Sequence, residues 1–332
     1  MTSENMIPFA GLGPETILDA VESVGFHCSG ALQALNSYEN RVWQVGVDEG
    51  APLVAKFYRP GRWSDAQIAE EHDFTAAMAA EELPVVTPLV IDGRSLFAHG
   101  GFRFALFPRQ GGRAPEFDRA ETLEWMGRLM ARIHIVGARS NFAVRETLNI
   151  ASFGTGSRDW LLDNQAIPEE LESVWAGVAD EALDRAADAF SRAGAVTPLR
   201  LHGDCHAGNV LWTADGPHFV DFDDARMGPA IQDLWMLLSG EPEEMGRQFG
   251  HVLAGYEMFR EFDDRELQLI EALRTLRLIH HSAWLARRWG DPAFPAAFPW
   301  FATQRYWEER ILELREQIAA MQEFRGLRIV MP

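Results

Sequence analysis

Three polar side chains in residues 199–224 have the types and the spacing that phosphoryl transfer requires. Asp204 and Asn209 lie five positions apart in one loop, and a hairpin-like segment separates them from Asp221. The hairpin would return Asp221 alongside the loop. Carboxylate and amide oxygens are hard ligands that suit Mg²⁺ bridging nucleotide phosphates. The pattern predicts Asp204 as the group that orients an acceptor hydroxyl. Asn209 and Asp221 would be the metal ligands, and Asp221 would thereby also be catalytic.

The chain before residue 108 has the pattern of a small unit built mainly of strands. Strand-like pieces lie at 41–47 and 53–58, and two shorter ones at 89–91 and 102–107. An Ala- and Glu-rich segment at 64–82 has apolar residues at helical spacing. These elements predict a β-rich unit that contains one helix.

Beyond a Gly- and Pro-rich hinge at 108–112, helical patterning dominates. We expect helices at 119–134, 168–193, 231–238, 246–259, 265–288 and 306–322. A β-rich interruption, with strands at 210–212 and 218–222, carries the polar side chains described above. The sequence therefore predicts an α+β protein with its candidate chemistry in one loop and hairpin.

The motif His202-Gly203-Asp204, followed by Asn209 and Asp221, resembles the aminoglycoside phosphotransferase and choline kinase branch of the protein-kinase-like fold. Segments that match this branch span nearly the whole chain. The resemblance implies a two-lobed fold that uses ATP and Mg²⁺. Residues 1–107 would form the β-rich nucleotide-binding lobe, and residues 108–332 the mainly helical catalytic and substrate lobe.

The same resemblance implies three cofactor-binding residues in the first lobe. Lys56 matches the strand lysine that pairs with the α- and β-phosphates, although a strand lysine is often simply solvated. Glu71 matches the helix glutamate that holds this lysine, with its neighbour Glu70 as the alternative. Ser37 lies where the nucleotide loop would fall, at 37–41, and would replace the absent G-x-G-x-x-G motif; it could also be an ordinary turn serine.

Two residues, His202 and Asp233, are interpreted first as scaffolding for the Asp204 loop. A third, His206, differs from the residue that protein kinases have at the same position. His202 is expected to pack beneath the site, and Asp233 to hydrogen-bond the backbone of the Asp204 loop. His206 stands where protein kinases have a lysine that meets the γ-phosphate. A neutral imidazole would stabilise less charge there than an ammonium group.

Composition narrows the possible partners. The chain has 30 Lys and Arg against 49 Asp and Glu, a net charge of −19, which disfavours nucleic-acid binding and leads us to expect basic protein segments as partners. No apolar run reaches the roughly 18 residues of a membrane span, and no basic start of a secretory signal is visible. With only two cysteines, we expect a reduced, cytoplasmic protein without membrane contact, and a monomer by default.

The resemblance implies a serine/threonine protein kinase of stress survival whose acceptor is a protein. The motif is shared with kinases of choline, homoserine and aminoglycosides, so a small alcohol remains the alternative acceptor. A zinc hydrolase built on His202, Asp204, Cys205 and His206 is disfavoured because residues this close on one loop rarely converge on one ion. A catalytically inactive binding module is disfavoured because all the reactive groups are present together.

Overall fold

The computed structural model describes residues 7–323, 327 and 329–332. The strands are β1 Cys28–Leu35, β2 Arg41–Val47, β3 Leu53–Phe57, β4 Phe97–His99, β5 Phe102–Pro108, β6 Leu199–Leu201, β7 Val210–Thr213, β8 Gly216–Phe219 and β9 Arg226–Gly228. The helices are α1 Pro14–Glu22, α2 Asp65–Ala80, α3 Ala120–Gly137, α4 Gly156–Asp163, α5 Glu169–Ala193, α6 Ile231–Trp235, α7 Pro242–Tyr256, α8 Ile270–Arg288, α9 Ala293–Ala297 and α10 Gln304–Glu323. The chain is therefore α+β, as the sequence predicts.

The chain forms two compact units. The first unit runs to Pro115 and includes Gly208–Asp223, and the second comprises Glu116–Ala207 with the chain from Asp224 onward. The β7–β8 hairpin is part of the first unit because it is bonded to it: the amide of Phe219 donates to the carbonyl of Pro84 at 2.8 Å, and residues 113 and 212 exchange two backbone hydrogen bonds.

An antiparallel sheet in the order β1-β2-β3-β5-β4 forms the frame of the first unit. One face of β3 places Ala55 and Phe57 in the core, where Phe57 stacks on Phe104 of β5 at 5.4 Å between ring centroids. Alternation along the strand turns Lys56 to the other face. The strand period thus sends the apolar residues to the core and this lysine away from them.

Helix α2 follows β3 and begins at a capping box. The Ser64 hydroxyl accepts from the backbone amide of Gln67, and the Gln67 side chain accepts from the amide of Ser64. Ile68, Phe74 and Met78 are fully buried at helical spacing. The start of α2 fixes which side of the helix faces the core. It therefore also fixes which of the two glutamates, Glu70 or Glu71, faces the core.

Several predicted elements differ from the structure. The strand predicted at 89–91 is wrong. Pro88, just before this segment, cannot donate a ladder hydrogen bond, and the strand that pairs with the outer edge of β5 is β4, which comes later in the chain. The second hairpin strand ends at Phe219, and a 3₁₀ turn covers Phe222–Asp224. The helix predicted from 265 starts as a 3₁₀ turn at Asp264–Leu269, and α6 ends at Trp235, before its predicted end at 238.

Within the part of the chain that the structure describes, no helix combines the length and the apolar content needed to cross a bilayer.

Candidate active site

In the first unit, Lys56 is held by three carboxylates. Its Nζ lies 3.0 Å from Asp221 Oδ1, 3.2 Å from Asp223 Oδ1 and 3.6 Å from Glu71 Oε1. The lysine side chain is 7% exposed. Burial alone would lower the pKa of Lys56, but the charges of Asp221, Asp223 and Glu71 outweigh it and raise that pKa well above 10.5. Lys56 is therefore a permanently charged ammonium group at the centre of an acidic cluster.

Of the two candidate glutamates on α2, Glu71 is the one that pairs with Lys56. Glu71 is 3% exposed, on the same buried side of the helix as Phe74. Phe74 in turn meets the edge of the Phe222 ring, with centroids 6.1 Å apart. The capping box at Ser64 fixes α2 before Glu71, and the contact of Phe74 with Phe222 fixes it after Glu71. Both keep the Glu71 carboxylate directed at the lysine.

Asp221 and Asn209 lie at the open end of the β7–β8 hairpin. The amide of Val220 donates to the carbonyl of Asn209 at 3.1 Å, so the backbones on either side of the hairpin are bonded at this level. Asp221 has a φ of +59°, a left-handed conformation that is strained for a residue with a Cβ. Its side chain is 50% exposed. The hairpin thus presents one carboxylate to solvent while also bonding it to Lys56.

The donor set of Asn209 and Asp221 fits a divalent cation that is bound together with phosphates. Both supply hard oxygens, and Mg²⁺ takes one or two protein oxygens and fills its octahedron with water and phosphate. Among the described residues, no cluster of three or more His, Cys, Asp or Glu has the arrangement of an all-protein metal site. The residues present therefore suit a nucleotide-bound metal better than a structural one.

Arginines that follow β3 support the residues around Lys56 in the first unit. In the sequence, only the clustering of these arginines indicates that role. Arg62 pairs with the buried carboxylate of Asp223. Arg59 donates from Nε to the backbone carbonyl of Glu39 at 2.9 Å, and its amide donates to Asn40 Oδ1 at 3.1 Å. These bonds hold the 36–40 loop between β1 and β2, which contains the half-buried Ser37. The loop thus has side-chain braces in place of a glycine-rich sequence.

In the second unit, Asp233 holds the loop that carries Asp204. Its two carboxylate oxygens accept from the backbone amides of His202 and Gly203, both at 2.8 Å. His134 Nε2 lies 3.3 Å from the same carboxylate. Gly203 has a φ of +84°, and a Cβ there would lie 2.2 Å from the carbonyl oxygen of Asp224. The prediction that Asp233 bonds this loop is confirmed, and His202 is fully buried, as expected of scaffolding.

The Asp204 carboxylate lies two residues beyond His202 and has two cationic or polar partners. Arg277 of α8 donates to Oδ1 at 2.8 Å, and His206 Nε2 lies 3.4 Å from Oδ2. Burial would raise the pKa of Asp204, but the hydrogen bond with His206 and the charge of Arg277 outweigh it and hold that pKa below 3.8. Asp204 is therefore ionised at neutral pH, as a hydrogen-bond acceptor for a hydroxyl must be. Arg277, 73 positions away, has no signal in the sequence.

Comparison with known proteins identifies the family of the chain. The phosphotransferase enzyme family matches residues 31–267. Stress response kinase A of Escherichia coli K12 is 45% identical over 315 residues, covering 95% of each chain. Serine/threonine protein kinase RdoA of Salmonella typhimurium LT2 is 43% identical over 321 residues, covering 97% of each. These relatives confirm that the resemblance extends over nearly the whole chain.

Solved structures show the same fold at low sequence identity. Amicoumacin kinase hAmiN, solved with AMP-PNP and Ca²⁺, aligns over 94% of both chains with a TM-score of 0.69 and 17% identity. The fold is thus the protein-kinase-like α+β fold that the His-Gly-Asp motif implies. From its matched length, its relatives and this fold, the chain belongs to the phosphotransferase enzyme family and is a kinase.

Proposed function

We propose that the chain is an ATP- and Mg²⁺-dependent serine/threonine protein kinase. The observation that carries the proposal is the ionised, partly exposed Asp204 carboxylate on a loop that Asp233 anchors through two backbone amides. The protein acceptor is supported by the relative named a serine/threonine protein kinase, which covers nearly the whole chain. Stress survival and a cytoplasmic location are part of the proposal, on the names of the relatives and the composition.

The candidate residues of each unit have a defined task in the proposed reaction. Lys56, kept charged by its three carboxylates, pairs with the nucleotide phosphates, and the Ser37 loop contacts them. Asn209 and Asp221 hold Mg²⁺, which would neutralise charge on the phosphates when bound. Asp221 therefore has to contact both the ammonium group of Lys56 and Mg²⁺. Its carboxylate is exposed on one side, which leaves room for the metal.

Asp204 accepts the hydrogen bond of the substrate hydroxyl and orients its oxygen. As the new bond from that oxygen to the γ-phosphorus forms, the bond from the γ-phosphorus to the β–γ bridging oxygen breaks. The hydroxyl proton passes to the Asp204 carboxylate, and ADP leaves. The depressed pKa of Asp204 favours a role as an orienting group that takes the proton late, when the hydroxyl has become acidic.

The test is transfer of labelled phosphate from Mg-ATP, in parallel, to a general protein substrate and to choline, homoserine and an aminoglycoside. Wild type is compared with Asp204→Asn and with Asp215→Asn, a matched control in the exposed β7–β8 turn. We expect label on protein Ser or Thr, a fall of about 10² or more for Asp204→Asn, and near-wild-type transfer for Asp215→Asn.

The other outcomes separate the alternatives. Label on a small alcohol alone would assign the chain to the metabolite kinases and refute the protein acceptor. Equal transfer by wild type and Asp204→Asn would refute the role of this carboxylate. We further propose that the kinase acts as a monomer, without nucleic acid or membrane, which sedimentation of the active protein would check.

A further inference from the structure

Arg277 links the Asp204 carboxylate to a cavity in the second unit. The cavity is open to solvent, has a volume of about 350 Å³ and is lined by side chains of α6, α8 and α10. Trp235 and Leu278 provide apolar wall, and Glu316 lies on the exposed rim. Because Arg277 both lines this cavity and bonds Asp204, a group that enters the cavity reaches the arginine that holds the proposed orienting carboxylate.

Three other ionisable groups of the wall are paired or neutral, and a fourth, Glu316, is an exposed carboxylate. Arg274 lies 3.3 Å from Glu271, and Glu313 pairs with Arg310. Burial lowers the pKa of His281 to about 4, so this imidazole is uncharged at neutral pH. Arg277 is therefore the cation of this wall that contacts the Asp204 carboxylate, and it is the one that a ligand approaching Asp204 would meet.

The contacts of Arg277 leave room for a second anion. One nitrogen of its guanidinium group, Nη2, donates to Asp204, while Nη1 has only a long contact of 4.0 Å to the sulfur of Met236. The side chain is 39% exposed, and such solvent-accessible ion pairs exchange partners at little cost. A guanidinium group offers five donors in a planar fork that matches a carboxylate.

We propose that Arg277 selects acceptors in which a carboxylate lies next to the reactive hydroxyl, so that the preferred site is a Ser or Thr beside an acidic residue. The inference rests on the proposed protein-kinase function. The substrate carboxylate binds the fork of Arg277, and Asp204 Oδ1 becomes free to accept from the hydroxyl. Recognition of the correct segment thereby makes the orienting carboxylate available.

This local preference opposes the one that the net charge of −19 predicts. Charges further away than about 10 Å are largely screened at physiological salt, whereas Arg277 would contact the substrate directly. The net charge predicts a preference for basic peptides, whereas contact with Arg277 predicts a preference for acidic peptides. A comparison of acidic and basic acceptors therefore decides between them.

The test compares three peptides that are identical except for the residue after the acceptor Ser, which is Asp, Asn or Lys. For wild type we expect kcat/KM to be about tenfold higher with Asp than with Asn, and lowest with Lys. Arg277→Gln should remove the tenfold advantage of the Asp peptide over the Asn peptide, whatever the change in the overall rate. Arg277→Lys should keep part of the advantage. Arg185→Gln, which removes one positive charge from the exposed face of α5, should keep all of it.

The outcomes distinguish this inference from the function on which it rests. If wild type phosphorylates a general protein substrate but favours the Asn or Lys peptide, the inference alone is overturned. If Arg277→Gln lowers all three peptides equally, Arg277 merely positions Asp204, and the inference again fails. If wild type transfers phosphate to no protein or peptide, the proposed function is overturned and the inference with it.

Discussion

Replacing Asp233 tests whether the Asp204 loop is held by one buried carboxylate. Asp233→Asn keeps one oxygen but turns an NH₂ group toward the second backbone amide, so either His202 or Gly203 loses its acceptor. Asp233→Ala removes both acceptors. The two variants therefore differ by one hydrogen bond in an otherwise unchanged, fully buried setting.

The expected cost follows from the bonds that each variant loses. A hydrogen bond to a charged acceptor contributes about 1.5–3 kcal/mol, and a buried donor left without an acceptor costs about 1–3 kcal/mol. We expect the free energy of unfolding to fall by about 3 kcal/mol for Asp233→Asn and about 5 kcal/mol for Asp233→Ala. Asp180→Asn, which breaks an exposed pair with Arg158, should cost less than about 1 kcal/mol.

Urea unfolding measures these differences, and amide hydrogen exchange locates them. The amides of His202 and Gly203 should lose protection in Asp233→Asn. Because a displacement of about 1 Å can reduce a rate about 10²-fold, kcat should fall on that order while KM for ATP changes little. A variant that unfolds within 1 kcal/mol of wild type and keeps protection at both amides would refute the anchoring role.

Three further perturbations test the first unit and the pH response. Lys56→Met leaves three carboxylates without their shared cation, so we expect a loss of about 3 kcal/mol or more in urea unfolding and little phosphate transfer; an unchanged unfolding midpoint would contradict this. EDTA should abolish transfer and Mg²⁺ restore it, with Asp221→Asn needing about tenfold more Mg²⁺ for half activity, a difference of about 1.4 kcal/mol; activity that survives chelation would exclude the metal role. Burial raises the pKa of Glu266 from 4.5 to about 7, so the folded protein holds this proton more tightly than the unfolded chain and stability falls as pH rises between these values. Glu266→Gln keeps an acceptor for the amide of Ile231 but has no carboxyl group to titrate. Its free energy of unfolding relative to wild type should therefore rise by up to about 3 kcal/mol from pH 4.5 to 7. A difference that does not depend on pH would contradict this account of the buried carboxyl group.

The parts of the fold that could be predicted are those with strong local signals. Strand β2 has its predicted bounds, and α5 begins one residue after its predicted start. The segment at 89–91 has the composition of a strand, but pairing depends on which residues β5 meets, and β5 pairs with 97–99. The amide of Leu89 still donates to the carbonyl of Leu106 in β5, whereas Ile91 exchanges two backbone hydrogen bonds with Arg94 in a local turn.

The candidate site shows the same limit. Lys56 and Glu71 could be named from the family resemblance and Asp221 from motif and spacing, and the structure brings these three together. Asp223 has no local signal in the sequence, because nothing nearby indicates that it turns inward to Arg62 and Lys56. Arg277 could not be found at all, since its contact with Asp204 depends on how α8 packs within the second unit.

The interleaved course of the chain through its two units has a consequence for synthesis on the ribosome. The first unit needs Gly208–Asp223, whose strands bond to residues 84–86 and 113. A nascent chain that ends before residue 223 therefore exposes unpaired backbone and apolar surface of the first unit, even after all residues up to Pro115 have emerged. Neither unit corresponds to one continuous stretch of chain, so truncation at any single residue would leave one of them incomplete. The first unit can consequently be completed only after residues 116–207 of the second unit have been synthesised.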